Sequence, residues 1–102
     1  MRKVEDLLET AGEYLYQVFD YASAIRVYQE IIDIDGNRYE GWWGLVRSYT
    51  EDFERTSCGP ELFKLVSECK DRAVFLAEGE TKRILESEWQ EYLHIIDRYA
   101  AA

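Results

Sequence analysis

The chain is poor in several residue types, and each shortage closes off a class of function. Among 102 residues there is one histidine, His94, so no histidine-based metal cluster can form. Flanked by Leu93 and Ile95, it reads as a helix-surface or partly packed residue. There is one proline, Pro60, which leaves long stretches free to be helical. The two cysteines, Cys58 and Cys69, form no CxxC pair. Cys69 falls on an apolar helical stripe and reads as a small core residue. A reduced, cytoplasmic setting is the simplest inference. No apolar run approaches the roughly 18 residues needed to span a bilayer. The start, Met1-Arg2-Lys3-Val4-Glu5-Asp6, turns acidic at once and carries no apolar signal run.

Positive charge is also scarce. Twelve Lys and Arg stand against 21 Asp and Glu, a net charge of −9. Residues 1–51 hold 5 basic and 10 acidic residues and 52–102 hold 7 and 11, so neither half is an acidic tail. Such a surface repels nucleic acid and anionic membranes. It suits basic partners, or it simply keeps a helical domain soluble. No phosphate loop or other cofactor motif is present. Gly41-Trp42-Trp43-Gly44 lacks the GxGxxG and GK[ST] spacings. No Ser, His and Asp form a nucleophile motif. Glu9 with Glu13, or Glu88 with Glu91, could share a helix face, but carboxylates this abundant pair by chance. The chain does not read as an enzyme.

What the chain has is apolar periodicity. It is 47% hydrophobic and 15% aromatic, enough for one core in one domain spanning 1–102. Val4, Leu7, Leu8, Ala11, Leu15 and Val18 predict a helix over about 4–17. Asp20 predicts the N-cap of a second helix over about 21–33, with Ala24, Ile25, Tyr28, Ile31 and Ile32 inward and Gly36 as a left-handed stop. Asn37 and Glu40 resemble a capping box opening a third helix over about 38–50. Trp42, Leu45, Val46 and Tyr49 line its inner face, with Trp42 expected against Ala24 or Tyr28. Gly41 and Gly44 leave two readings open: close helix approach, or space cleared around Trp43 for a ligand. Residues 51–59 form the longest loop. Pro60 then starts a fourth helix with a stripe of Leu62, Leu65, Val66, Cys69, Ala73, Leu76 and Ala77, widened by Phe63 and Phe75. Gly79 closes it. A fifth helix follows over about 81–99, with Leu85, Trp89, Tyr92, Ile96 and Tyr99 inward.

Two stretches echo each other 34 residues apart: Leu8, Ala11, Gly12 and Leu15 against Trp42, Leu45, Val46 and Tyr49. With the small Ala24 and the aromatic Tyr28 between them, residues 1–51 resemble a tetratricopeptide repeat plus the first helix of the next. Gly36 stands where that family commonly has proline. Residues 52–102 depart from the pattern and read as a divergent second hairpin and a capping helix. The fold expected is all-α, about five helices in antiparallel hairpins.

The resemblance implies a non-catalytic protein-interaction module. The first helix of each such repeat lines a groove for a peptide or helix. Carried over, the groove positions are Glu9, Glu13, Tyr16, Glu40, Trp43 and Arg47, with Asp6, Gln17 and Thr50 beside them. Only Arg47 is basic, so a clamp for a peptide carboxylate is not expected. An acidic groove with Tyr16 and Trp43 favours a basic, partly apolar protein or peptide segment. The alternative for these residues is a solvated acidic face and a covered tryptophan. Two other functions stay open: a self-associating structural domain or piece of a larger repeat assembly, and an acidic inhibitor that mimics nucleic acid.

Overall fold

Five helices follow one another with no strand among the described residues. The computed structural model describes residues 3–101, and side-chain burial through residue 98. Helix α1 runs Val4–Gly12 and continues as a π-helical segment, Glu13–Val18. Helix α2 is Tyr21–Ile34, α3 Tyr39–Tyr49, α4 Pro60–Leu76 and α5 Gly79–Ala101. Each helix packs on its neighbour in sequence, and α1 also meets α3, giving antiparallel helical hairpins. The packing of α2, α3 and α4 is extensive, whereas α5 touches α4 more sparingly.

Asp20 caps α2 as its residue type suggests. Its carboxylate accepts from the Ser23 amide at 3.1 Å and from the Ser23 hydroxyl at 2.7 Å. These bonds, hydroxyl first, hold its carboxyl below the ordinary value. Leu7, Ala11 and Leu15 of α1 are buried as the stripe requires. Val18 is not: it is 63% exposed. The i→i+5 spacing of the π segment rotates the chain, so the α-helical stripe breaks before its end. Phe19 then takes a left-handed conformation, φ 60°, and the Phe19 and Asp20 amides both donate to the Tyr14 carbonyl.

Several expected stops and starts differ. Gly36 is not left-handed. Helix α2 ends at an extended Asp35, whose carboxylate accepts from the Asn37 amide at 3.2 Å. No capping box opens α3: its N-cap is Arg38, with no side-chain cap bond. Gly79 opens α5, with φ 56°, rather than closing α4, which ends at Leu76 before an extended Ala77. Phe75 does not widen the α4 stripe; it is 73% exposed, and Leu65 is partly exposed. Leu85, Trp89 and Tyr92 of α5 are buried as expected, and Cys69 lies in the core. Burial pushes the Cys69 thiol up to about 11. The side chain of Tyr99 lies outside the described residues.

The two adjacent tryptophans differ in burial, and both pack in or against the core. Trp43 is the buried one, whereas Trp42 is half-buried. Trp42 faces Ile32, Leu45, Leu65 and Cys69, and its indole N–H donates to the Gly36 carbonyl at 2.9 Å. Beside them, Gly44 makes room for Tyr28 of α2. The Tyr28 ring occupies the space where a side chain would stand: a Cβ built there would lie 2.1 Å from a ring carbon. Gly41 likewise makes room for Ile31 and Ile32. The glycines therefore serve close approach of α2 and α3.

Candidate functional site

The connection after α3 is unusual in its backbone. Glu51, Asp52 and Phe53 are three consecutive non-glycine residues in the left-handed region, with φ of 52°, 55° and 68°. Each such residue costs about 1–2 kcal/mol, so the surroundings must hold it. Thr50 does part of this. Its buried hydroxyl donates to the Val46 carbonyl at 2.8 Å and accepts from the Phe53 amide at 3.1 Å. Thr50 is thus a core residue and does not face a groove. Asp52 supplies the other anchor, pairing with Arg47 while its amide donates to the Arg47 carbonyl. The turn carries Phe53 inward, where its ring centre lies 5.8 Å from Trp43 and 5.0 Å from Tyr92.

Arg47 is the hub of this region. One nitrogen pairs with Asp52 of the turn, and the other with Glu88 of α5 at 2.8 Å. Its guanidinium sits 5.8 Å from the Tyr16 ring centre and 5.3 Å from that of Phe53. Burial works against its charge, but Tyr16, Glu88 and Asp52 outweigh it and the pKa rises above the ordinary arginine value. Burial raises the Tyr16 hydroxyl, and burial pushes Tyr28 up to about 12.

Two hollows meet at Arg47. The first, about 270 Å³, lies between α1 and α3 and is lined by Leu8, Tyr16, Tyr28, Tyr39, Glu40, Trp43, Gly44 and Arg47. The second, about 230 Å³, reaches α5 and is lined by Arg47, Phe53, Glu88, Glu91, Tyr92 and Ile95. Four of the six groove positions read from the sequence, Tyr16, Glu40, Trp43 and Arg47, thus line one hollow. Glu9 and Glu13 are exposed on α1 and line neither. Trp43 reaches the hollow from a buried position, only 7% exposed, as a wall rather than a projecting ring.

Sequence reasoning missed Tyr28, Tyr39, Phe53, Glu88 and Tyr92 in this region. Phe53 and Asp52 reach Arg47 through a loop whose left-handed turn has no glycine to announce it, and Glu88 reaches it from α5. Tyr28 was legible as a core aromatic but not as a wall.

Glu40 makes no ion pair among the described residues, and neither does Glu91. The nearby Arg38 is taken by Glu5 at 2.8 Å and Asp35 at 3.4 Å. Arg47, at the junction, is balanced by two carboxylates. The face is therefore aromatic with surplus negative charge. Among the described residues no three His, Cys, Asp or Glu side chains gather as a metal site, and no helix is long and apolar enough to cross a membrane. No known protein family, curated protein or solved structure matches the chain.

Proposed function

We propose that the chain is a non-catalytic interaction module whose α1, α3 and α5 face binds a basic, partly apolar segment of a protein partner. The observation that carries this reading is the pair of hollows joined at Arg47, walled by aromatic rings and left with unpaired Glu40 and Glu91. Aromatic walls supply contact area and attract cations, and surplus carboxylates steer a basic chain to the face. The likeness to tetratricopeptide repeats draws support from the hairpin order and from α1 lying beside α3. The free thiols of Cys58 and Cys69 accord with a reducing, cytoplasmic setting.

The test is a titration with a synthetic peptide that alternates basic and leucine residues. Binding is expected to weaken as salt shortens screening to about 8 Å at physiological strength. Replacing Glu40 and Glu91 together by glutamine is expected to weaken it on the order of tenfold, with the helical circular-dichroism signal unchanged. If the double variant binds as tightly as the parent, the acidic face is not the docking surface. A second reading, self-association, draws on the exposed Phe75 and Ile84. Sedimentation showing a salt-insensitive dimer would favour it.

A further inference from the structure

The α1–α3 hollow has a chemistry more specific than a shallow groove requires. Its wall holds three tyrosines, Tyr16, Tyr28 and Tyr39, one tryptophan, Trp43, one carboxylate, Glu40, and one cation, Arg47. Ring faces are electron-rich and attract a cation drawn in among them. The molecule already contains such an arrangement at the rim, where Arg47 lies over Tyr16 and over Phe53. That arginine is fully engaged, however, by Asp52 and Glu88, and Arg38 is engaged by Glu5 and Asp35. Glu40 is left over. Arg47, Asp52, Glu88 and Glu40 together carry a net charge of −2.

We propose that this hollow is an arginine site, taking the guanidinium of one arginine side chain from the partner's basic segment. The group stacks beside Tyr39 and Trp43 and pairs with Glu40. A guanidinium fits better than an ammonium because it is planar, weakly hydrated and forked to match a carboxylate. A space of about 270 Å³ accommodates one such side chain and is too small for a helix. The proposal rests on the interaction-module reading and names the anchor within it.

Two measurements test it. Methylguanidinium chloride is titrated into protein whose tryptophan indoles are isotopically labelled, with methylurea as the uncharged match in shape. The expected result is a saturable shift of the Trp43 signal in the roughly millimolar range, without a like shift at Trp42 or Trp89. Methylurea produces no such shift, and Glu40→Gln weakens it at least several-fold. In the second measurement each arginine of the binding peptide is replaced in turn by citrulline, which keeps the shape and removes the charge. One position is expected to lose about tenfold in affinity. Glu40→Gln is expected to weaken the arginine peptide and leave the matching citrulline peptide unaffected. If the peptide binds yet no citrulline position matters and methylguanidinium leaves Trp43 unmoved, the arginine site is wrong and the interaction reading survives. If neither peptide nor methylguanidinium binds, both are wrong. Equal shifts from methylurea, or equal shifts at all three indoles, also overturn the arginine site.

Discussion

The first three helices and the last two are held together by different means. In residues 3–51 the contacts depend on small residues. Ala24, Gly41 and Gly44 let α2 and α3 approach until the Tyr28 ring fills the place of an absent side chain. In residues 52–98 α4 packs closely on α3, whereas α5 is tied in by long side chains. An aromatic series runs Trp43, Phe53, Tyr92, Trp89 and Phe63, with neighbouring ring centres 5.0 to 6.0 Å apart. Arg47 ties α3 to α5 through Glu88, and the Tyr92 hydroxyl donates to the Arg55 carbonyl. Close packing needs a repeated sequence pattern, whereas bridging needs a few large residues in the right places. The candidate site lies where the two modes meet, and its residues come from both.

The sharpest challenge to this comparison uses the paired tryptophans. Trp43 belongs to both the hollow and the aromatic series, so Trp43→Ala is expected to cost about 3–5 kcal/mol in urea denaturation. Trp42→Ala, at a half-buried position, is expected to cost distinctly less. Equal losses would mean that the aromatic series does not carry the second half. The next test concerns close approach. Gly44→Ala drives a methyl group into the Tyr28 ring and is expected to cost about 1–3 kcal/mol. Gly59→Ala meets nothing within 4 Å and is expected to be close to neutral in the same assay. A neutral Gly44→Ala would remove the distinction.

The smallest effect sharpens the comparison from the alkaline side. Tyr28 in the first part and Tyr92 in the second both have hydroxyls raised above the ordinary value of 10.0, chiefly by burial. Unfolded tyrosines ionise near 10, while these keep their protons in the folded state. Their contribution is therefore complete below pH 10 and is lost as pH rises through the folded value, about 12 for Tyr28. Stability should be flat in this respect below pH 10. Above it, each such tyrosine removes about 1.4 kcal/mol per pH unit. Tyr28→Phe and Tyr92→Phe should each make the fall shallower, by thermal melts across that range. If neither does, the two rings are not held as described.

The helix count and most of the buried set were legible because apolar residues recur at helical spacing and tertiary contacts reinforce that spacing. Leu7, Ala11, Leu15, Ala24, Tyr28, Val66, Cys69, Ala73 and Trp89 fall where periodicity puts them. Periodicity failed where the helix itself changes. The π segment carries Val18 out to solvent, and Phe75, two residues past the buried Ala73 within α4, falls on the helix's outer side. Glycine was over-read as a signal: Gly36 does not stop a helix, and Gly79 begins one. The left-handed turn at 51–53 was invisible because no glycine marks it; Thr50 and Arg47 impose it through side-chain bonds. Within the candidate site, spacing on α1 and α3 found Tyr16, Glu40, Trp43 and Arg47. It could not find Phe53, Glu88 or Tyr92, which arrive from elsewhere in the chain.

The Tyr28 ring seated against Gly44 also acts as an alignment pin. Helices that meet through apolar faces can often slide by one turn and bury nearly the same surface. Here a slip of one turn would set Glu40 or Ser48 against the tyrosine ring in place of Gly44. Both have the side chain whose absence makes the contact possible. Slips of four residues in either direction are therefore penalised before any favourable contact is counted. The register that Tyr28 and Gly44 hold sets the stagger of Glu40, Trp43 and Arg47 relative to α1, and with it the shape of the hollow they share.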